Sequence, residues 1–289
     1  VTQSIPRTST PFCSVVKRES TDTLQRLALS RHIDGSFRGD GGDELFYRDG
    51  ALPDSVDYAW RHGAGLELLR VAINDALVDD RSIWAVLNLA FRHGVRRRRF
   101  GWRGLRAPSL PILLTAEAKH CAINDPRHVH PLFREDLDIP PTKTLHALRI
   151  TCLSSNIVVP VGRDSGAPVA VAPLAAQPHM ELALQIPTYV LRCDARDRAI
   201  ARRAFEGDLP AKVIRRRTKA GGPAPVRKLI DANQGIVRDY LMGGYLASEG
   251  ILDARALGQA LSGKGESLGQ LAPQLLNFLT VESWVRRWA

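Results

Sequence analysis

The sequence predicts an α/β protein in which a short α/β segment precedes a large helical portion. A candidate strand, residues 33–38, runs straight into a turn rich in glycine and aspartate, and a helical pattern follows. α/β proteins place ligand-binding groups at such strand ends. From residue 55 onward, apolar residues recur at the spacing of amphipathic helices. We therefore expect an α/β region over residues 1–50 and a mainly helical region over residues 51–289.

The first segment contains one helix before the candidate strand. Leu24, Leu27 and Ala28 follow Ser20 at helical spacing, and serine is favoured at a helix N-terminus. Residues 1–19 are rich in serine, threonine and proline and lack periodicity, which predicts a loop.

The helical portion is punctuated by proline and glycine. Pro178 opens a predicted helix that Pro187 stops, because proline suits a first helical turn and breaks a helix interior. Residues 156–173 are apolar but interrupted by prolines and glycines, which predicts a loop on a buried side. Further helices are predicted at 197–205, after Pro210, and at 224–242, 253–262 and 267–288. The predicted inward positions of two earlier helices are Leu66, Leu69, Ala72, Ile73, Ala76, Ile83, Val86, Leu87 and Ala90.

The chain is basic, with a net charge of +10 and a pI of about 9.9. Such a balance suits a polyanionic partner, and composition alone leaves nucleic acid, a nucleotide and an acidic peptide open. The sequence has no zinc finger, no aromatic RNA-binding pattern and no GXXG-type loop in context. Nucleic acid therefore ranks last among these partners.

Cysteine usage and hydropathy predict a cytoplasmic protein. The four cysteines are widely spaced and form no C-x-x-C pair, so we expect reduced thiols rather than a zinc site or a disulfide framework. No apolar run long enough to span a membrane and no secretory leader is recognisable, so we expect neither insertion nor secretion. The chain begins with Val1 rather than Met, which indicates a processed, trimmed or partial product.

The strongest chemical motif is G-D-G-G-D-E at residues 39–44. Gly41 and Gly42 allow positive φ and a close approach of backbone to ligand, and their amides can form an anion-binding concavity. Asp43 can supply an oxygen ligand to Mg²⁺, which takes one or two carboxylates beside phosphate oxygens. The residues alone fit a solvent-exposed tight turn equally well. They do not fit an EF-hand loop, because its third and sixth positions, counted from Asp40, carry the wrong residues.

The segment G-D-G-G-D-E-L-F, from Gly39 to Phe46, resembles S-G-D-G-G-D-E-L-F of the asparagine synthetase family, with Arg38 in place of the serine. The resemblance implies part of an ATP-pyrophosphatase fold, an adenine nucleotide alpha hydrolase-like parallel sheet edge. It implies ATP and Mg²⁺ as cofactors, with Asp43 as the metal ligand and Asp40 facing the activated substrate. The other residues that the resemblance assigns to the nucleotide-binding turn are Gly39, Gly41, Gly42 and Glu44.

Three later blocks resemble the same family in order and spacing. P-L-A-A-Q-P-H-M-E-L-A-L-Q-I-P at 173–187 resembles P-L-L-D-x-x-x-V-E-F-A-L-x-L-P, although Ala176 replaces the aspartate. D-R-A-I-A-R-R-A-F at 197–205 resembles K-x-L-L-R-x-A, and L-P-A-K-V-I-R-R-R-T-K-A-G-G at 209–222 resembles L-P-x-x-V-x-x-R-x-K-x-G-F. The resemblance places Lys219 at an active-site lysine, whose ammonium can neutralise phosphates and a developing oxyanion.

A basic helix end that complements the helix dipole is the alternative for this last block. We prefer that interpretation for the arginines at 215–217, whereas the motif favours a catalytic role for Lys219. The two histidines of the segment H-V-H-P-L-F, His128 and His130, are more typical of packed or exposed residues than of catalytic ones.

The resemblance is to the later part of a synthetase domain, which we expect to span residues 1–289. The family's S-G-G-x-D-S pyrophosphate loop does not occur in residues 1–38, and the cysteine that leads its glutaminase domain is absent too. Either that loop lies on a missing N-terminal piece, or the chain does not bind ATP in the family's manner.

Within the family, the chain looks most like the lasso-peptide macrolactam synthetases, on the segment 128–133 and the loop that precedes 173–187. This resemblance implies a ligase that adenylates an Asp or Glu side chain of a precursor peptide and joins it to the peptide's own amine. It also implies a leader-peptide-binding protein and a leader protease as partners. The alternatives are the synthetase domain of a glutamine-hydrolysing asparagine synthase and a degenerate, non-catalytic binding module of the same fold.

Overall fold

The computed structural model describes residues 11, 18–46, 51–98, 100–101, 111–133, 137–156, 169–216, 224–262 and 266–288. Helices dominate these ranges. The elements of the first half are α1 (Arg18–Ser30), β1 (Gly35–Phe37), α2 (Gly42–Leu45), α3 (Ser55–His62), α4 (Leu66–Asp79), α5 (Ile83–Leu89), a π-helix (Ala90–Val95), α6 (Ala116–Asn124), two 3₁₀ turns (Pro126–His128 and Pro131–Phe133) and α7 (Pro141–Asn156).

The second half begins with a strand and then continues as helices. Its elements are β2 (Val169–Val171), a 3₁₀ turn (Pro173–Ala175), α8 (Gln177–Gln185), α9 (Thr188–Leu191), α10 (Ala199–Ala204), α11 (Ala211–Ile214), α12 (Ala224–Ala232), α13 (Gln234–Met242), α14 (Tyr245–Ser248), α15 (Ala254–Ser262) and α16 (Glu266–Trp288). The helix expected at 224–242 is therefore two helices, which meet at Asn233.

The strands β1 and β2 form a two-stranded parallel sheet within the described ranges. Gly35 lies opposite Val169, and Phe37 lies opposite Val171. Sequence reasoning missed β2, because it treated 156–173 as a loop. The two strands run in the same direction, so the segments that follow them leave the sheet at the same edge.

Helix α4 packs only partly as predicted: Ala72 is fully buried, but other predicted inward residues are not. The predicted inward residue Leu66 is 89 % exposed, and Leu69 and Ile73 are exposed as well. The buried side of the helix instead carries Asp75, which is fully buried, and Asp79. The reason is a charge partner from another part of the chain that the apolar pattern could not reveal.

That partner is Arg192, which is 1 % exposed and lies just after α9. Its guanidinium bonds to the Asp79 carboxylate and lies 3.2 Å from the Asp54 carboxylate. Asp75 is the neighbouring third carboxylate, and it accepts a 2.7 Å hydrogen bond from the backbone N–H of Ser55. We call Arg192, Asp54, Asp75 and Asp79 the arginine–aspartate cluster.

The C-terminal helices α12–α16 pack around an apolar core. Leu241, Leu257, Ala272 and Leu275 are fully buried in it. The predicted helices at 253–262 and 267–288 are confirmed as α15 and α16. The residues that we call the leucine cluster are Leu113, Ile230, Val237, Leu241, Leu246, Leu252, Leu257, Leu261, Ala272, Leu275 and Phe278.

Two observations concern the expected cellular setting. Within the described ranges, no helix combines the length and apolarity that crossing a membrane would need. Three cysteines there form no disulfide bond, namely Cys121, Cys152 and Cys193, while Cys13 lies outside the described residues.

Candidate active site

The glycine-rich turn begins where β1 ends. The backbone N–H of Arg38 donates to the carbonyl of Val171 at 2.8 Å, so the strand pairing continues one residue beyond β1. Gly41 then takes a φ of +98°, a conformation that favours glycine. Its carbonyl accepts from the N–H of Leu45 at 2.8 Å and so closes the single turn of α2.

The turn packs directly against the backbone of the second motif. A Cβ atom on Gly41 would lie 3.0 Å from the carbonyl carbon of Leu174 and 3.1 Å from the amide nitrogen of Ala175. A Cβ atom on Gly42 would lie 3.4 Å from the Cδ1 atom of Leu174. Gly41 is therefore required by the contact between the two motifs. A role for these glycines in binding a nucleotide stays a prediction.

The second motif continues β2 into α8. Pro178 stands in the first turn of α8, as predicted, and the chain leaves the helix at Ile186, just before Pro187. An apolar cluster joins this helix to the glycine turn through Leu45, Ile150 and Ala183. The strand pairing and this cluster together bring two segments that lie about 130 residues apart in sequence to one edge of the sheet.

Asp43, the predicted metal ligand, forms an ion pair with Arg198. Arg198 has a φ of +51° and precedes α10 directly. Its guanidinium also lies 3.4 Å from the carboxylate of Asp197. The side chains of Asp43 and Arg198 are 31 % and 23 % exposed, so solvent reaches this pair and screens it in part.

Further hydrogen bonds and ion pairs connect Asp197 to the segment that precedes Lys219. Arg202 bonds to the backbone carbonyl of Asp197 at 3.1 Å and approaches its carboxylate at 3.4 Å. The same guanidinium donates to the carbonyls of Val213 at 3.2 Å and Ile214 at 2.8 Å, at the end of α11. Sequence reasoning recognised the D-R-A-I-A-R-R block but assigned no role to its arginines. They join the glycine turn to the basic block.

Lys219 itself lies outside the described residues, which stop at Arg216 and resume at Ala224. Its predicted catalytic role is therefore neither supported nor opposed by geometry. Arg215 and Arg216 directly follow α11 and are exposed, which agrees with a basic rim.

The remaining predicted residues lie on the turn itself. Asp40 and Glu44 are half-buried, and Glu44 belongs to α2. A Cβ on Gly39 would meet no atom within 4 Å, so the backbone there borders open space. The turn thus has one side packed on Leu174 and another accessible side. The accessible side is where a ligand would approach.

Two buried bases, His146 and Lys143, connect the turn to α8, and sequence reasoning missed both. The Nε2 of His146 lies 3.0 Å from the carbonyl of Leu45. The ammonium of Lys143 lies 3.3 Å from Nδ1 of the same histidine, so Nδ1 accepts and Nε2–H donates. Lys143 also donates to the carbonyl groups of Ala183 at 3.1 Å and of Ile186, at the end of α8. Both side chains belong to α7, which therefore holds the turn and α8 together.

Burial changes the pKa of both bases. Burial, together with the nearby Lys143 charge, lowers the pKa of His146 to about 4. Burial also lowers the pKa of Lys143 to about 8, against the opposing effect of the Asp57 carboxylate. His146 is therefore neutral at physiological pH. Nothing in the sequence around 143–146 distinguishes these residues from surface positions.

Among the described residues, no group of three or more His, Cys, Asp or Glu side chains could hold a metal ion. A Mg²⁺ ion shared with ATP phosphates needs only one or two carboxylates. The Asp43 carboxylate fits that requirement if Arg198 moves off it. Both side chains are partly exposed to solvent, which makes such an exchange physically accessible.

His130 contacts none of the residues of the glycine turn in the bonds described for it. His130 lies 3.5 Å from the hydroxyl of Thr151 and accepts a 3.3 Å bond from the N–H of Leu132. These contacts hold the 3₁₀ turn at Pro131–Phe133 in place. They agree with the packed role expected for this residue.

β1 ends in the glycine–acid turn, and its parallel partner β2 leads into the second motif, so a candidate ligand site lies at the carboxyl edge of the two strands. The family model described as asparagine synthase matches residues 170–286 of this chain. The match begins in β2 and runs through the second motif. It covers less than half of the chain and does not include the glycine turn, which comes earlier in the sequence. It supports the asparagine synthetase family and, in general, an ATP-dependent ligase that forms carbon–nitrogen bonds. No curated protein and no solved structure matched the chain.

Proposed function

We propose that this chain is the later part of a synthetase domain that uses ATP to activate a carboxylate and then joins it to an amine. The carboxylate belongs to an Asp or Glu side chain of a peptide, and the amine is the peptide's own N-terminus, so that the product is a macrolactam. The observation that carries the proposal is the meeting of the G-D-G-G-D-E turn with the segment of the asparagine synthase match.

The proposed reaction has two balanced steps. A substrate carboxylate oxygen attacks the α-phosphorus of ATP, and pyrophosphate leaves. The amine then attacks the activated carbonyl carbon, loses a proton, and AMP leaves with the electron pair of the broken C–O bond. Both steps develop negative charge on oxygen, which fixed cations stabilise.

The chain's own residues divide this work in the proposal. Asp43 would hold Mg²⁺, which would supply charge neutralisation for the leaving pyrophosphate. Lys219 neutralises charge at the reacting acyl phosphate, and Asp40 faces the substrate. Arg198 and Arg202 position the turn and α11 relative to each other, because their guanidinium groups join Asp43 to the carbonyls at the end of α11.

The proposal is tested by ATP–pyrophosphate exchange with candidate acidic peptides. Lys219→Ala is expected to lower the exchange rate by about a hundredfold, as for the loss of one stabilising charge. Lys212→Ala, an exposed lysine in the same block, is the matched control and should exchange at the wild-type rate. Equal rates for the two variants would contradict the role of Lys219.

Asp43→Asn gives a second readout that does not depend on turnover. Calorimetric titration with ATP should show a Mg²⁺-dependent gain in affinity for the wild-type chain, and this gain should disappear in the variant. The exposed Asp208→Asn is the control. ATP binding that does not depend on magnesium in any of the proteins would overturn the metal assignment.

The Asp43–Arg198 ion pair favours a second candidate, a non-catalytic binding module that has kept the fold. In such a module, Arg198 permanently takes the place of the metal. The candidate predicts that no peptide supports exchange and that Arg198→Gln does not raise Mg²⁺-dependent ATP affinity. The third possibility is the synthetase domain of a glutamine-hydrolysing asparagine synthase, for which free aspartate rather than a peptide supports exchange.

For the peptide ligase, the partners follow from its substrate. A precursor peptide must be presented with a free N-terminal amine, so we propose that a leader-peptide-binding protein and a leader protease act before this chain. Pull-down with an uncleaved precursor tests this order.

A further inference from the structure

A cleft lies beside the start of α7 and the stretch between α8 and α9. Its volume is about 590 Å³, and it opens to solvent between the end of α3 and the start of α9. Its walls combine flat apolar groups, including Trp60, Tyr189 and Pro187, with the charged groups of Arg97 and Asp138. Neither the glycine turn nor the basic block contributes to it.

An unusual piece of backbone presents Arg97 to this cleft. The preceding segment, Ala90–Val95, is a π-helix, a rare form that is frequent at functional sites. It lies so close to α3 that a Cβ on Gly94 would meet the Cβ of Ala59 at 2.5 Å. Arg97 itself has a φ of +48°, which is unfavourable for a residue with a side chain.

The guanidinium of Arg97 is held over the ring of Trp60. Its central carbon lies 4.7 Å from the ring centroid, and one nitrogen lies 3.4 Å from the Trp60 carbonyl. The carboxylate nearest to Arg97 in the cleft is Asp138, 3.5 Å away, and the two side chains are 55 % and 83 % exposed. Such an exposed, long ion pair is weak. Arg97 can therefore exchange Asp138 for an anionic ligand at little cost.

The other cation of the cleft is already neutralised. Arg61 bonds to the buried carboxylate of Asp57 at 2.6 Å. Tyr189 meets His62 through a 3.1 Å hydrogen bond and packs edge-on against Tyr58. The cleft thus offers one guanidinium, that of Arg97, which can bind an anion beside an aromatic wall. This chemistry suits a carboxylate next to an apolar or aromatic side chain.

The cleft is within reach of the glycine turn. The chain between Pro140 in the cleft and His146, which contacts Leu45 in the turn, rises about 9 Å at the helical 1.5 Å per residue. Helix α8 lies between the glycine-turn contact at Leu174 and the cleft residue Pro187, and it spans about 13 Å. An extended peptide covers such a distance with about three to five residues.

We propose that the Trp60–Arg97 cleft binds an acidic, aromatic-containing segment of the peptide substrate and so positions the reacting carboxylate of that peptide at the glycine turn. This inference rests on the peptide ligase function proposed above. It adds the substrate chemistry: a carboxylate on Arg97 and a flat or apolar side chain against Trp60 and Tyr189.

The test measures peptide binding without ATP or magnesium, so it is independent of the ligase reaction. A fluorescein-labelled peptide of alternating glutamate and phenylalanine is titrated with the full chain, and anisotropy is followed. Arg97→Gly should weaken binding about ten- to thirtyfold, as for the loss of one charge-assisted hydrogen bond. Glycine accepts the φ of +48°, so this variant should keep its fold.

Asp138→Asn provides a change of opposite sign at a strongly exposed position. Removing the competing carboxylate should tighten the same peptide about twofold to fivefold, because Arg97 no longer has to exchange partners. Arg255→Ala, an exposed arginine outside the cleft, is the charge-matched control and should bind like the wild type. The peptide with lysine in place of glutamate should bind poorly to every variant.

The outcomes separate the two proposals. Acidic-peptide binding that falls in Arg97→Gly, without pyrophosphate exchange, supports the cleft and contradicts the ligase. Exchange that saturates at the same peptide concentration in the wild type and in Arg97→Gly supports the ligase and overturns the cleft. Tighter binding of a labelled uridine oligonucleotide than of the acidic peptide, lost in Arg97→Gly, would also overturn the peptide assignment.

Discussion

Two regions of this molecule are stabilised by different means. The arginine–aspartate cluster buries one guanidinium with three carboxylates, where the start of α3 meets the ends of α4 and α9. The leucine cluster of α12–α16 buries aliphatic side chains instead. Removing the single cation of the first cluster leaves buried carboxylates uncompensated, whereas apolar contacts contribute roughly in proportion to the area buried. The motif-bearing part of the chain therefore depends on a few critical residues, and the C-terminal part depends on many interchangeable ones.

The pKa values within the arginine–aspartate cluster express this dependence. Burial raises the pKa of Asp54 well above its usual range, although Arg192 lowers it in part. Burial raises the pKa of Asp75 to about 6. Burial alone would lower the pKa of Arg192, but Asp54, Asp79 and Asp75 together raise it. One cation thus compensates three carboxylates, and burial favours the protonated form of Asp54 and Asp75.

The largest effect is expected from Arg192→Ala. The variant leaves up to three buried carboxylates without their cation, so we expect the free energy of unfolding to fall by about 3–5 kcal/mol. Urea denaturation at pH 7, followed by circular dichroism, measures this loss. The loss should shrink at pH 5, because the stranded aspartates are protonated more easily there.

Asp75→Asn is the matched control for this prediction. Asparagine keeps the side-chain oxygen that accepts the N–H of Ser55, and it removes a carboxylate whose charge is disfavoured by burial. We expect a change of less than about 1 kcal/mol. A loss as large as that of Arg192→Ala would mean that the cluster requires all of its charges, and the comparison would have to be redrawn.

The corresponding change in the leucine cluster is Leu241→Ala. Leu241 is fully buried, so we expect a loss of about 2–4 kcal/mol from the lost contacts and the cavity that remains. Unlike the loss in Arg192→Ala, this one should not depend on pH. The control is Leu229→Ala in the neighbouring α12, whose side chain is 43 % exposed and should cost less than about 1 kcal/mol. A pH-dependent loss in Leu241→Ala would contradict the division into two regions.

The sequence allowed the leucine cluster to be predicted better than the first region, for a physical reason. Helices α15 and α16 bury residues of the same stripe that makes them recognisable, such as Leu257 in α15 and Leu275 in α16. In α4, by contrast, the apolar stripe around Leu69 faces solvent, and Asp75 turns inward. A buried aspartate is favourable only next to its cation, and Arg192 lies more than a hundred residues away in sequence. Such long-range pairing is not encoded in local periodicity.

The candidate site shows the same limit. The G-D-G-G-D-E turn and the helix after Pro178 could be recognised because their residue types are fixed by local chemistry. The strand β2 and the supporting bases on α7 could not be recognised. Val169–Val171 is too short to show a strand period, and Lys143 acquires its role only through carbonyls from α8. The Asp43–Arg198 pair likewise depends on tertiary contact.

An intermediate effect is expected from the pH dependence of His146. Its folded pKa of about 4 lies below its ordinary value of 6.5, so its contribution is fully present above pH 6.5 and is lost as pH falls through 4. The wild type should therefore lose about 2–3 kcal/mol over this window from His146 alone. Asp75 acts in the opposite direction, because its raised pKa stabilises the fold below pH 3.8 and ceases to do so as pH rises through 6.

The variant His146→Gln isolates the histidine from the aspartate. Glutamine can still donate to the carbonyl of Leu45 but does not titrate. Unfolding is measured at several values between pH 4 and pH 7, and the difference between variant and wild type should decrease steadily toward low pH. A constant difference would show that His146 has an ordinary pKa and that the turn is not supported by a neutral histidine.

The smallest effect is expected where a charge pair lies on the surface of the apolar region. Arg227 and Asp231 are one helical turn apart on α12, 3.6 Å from each other, and their side chains are 46 % and 42 % exposed. Solvent screens such a pair, so Arg227→Ala should change the free energy of unfolding by less than about 0.5 kcal/mol. Denaturation at low and at high salt checks the cause, because even this small difference should vanish at high ionic strength. The loss in the free energy of unfolding caused by Arg192→Ala should change little at high salt, since salt hardly screens buried charges. A similar response of the two arginines to salt would mean that burial does not separate the two regions as their contacts indicate.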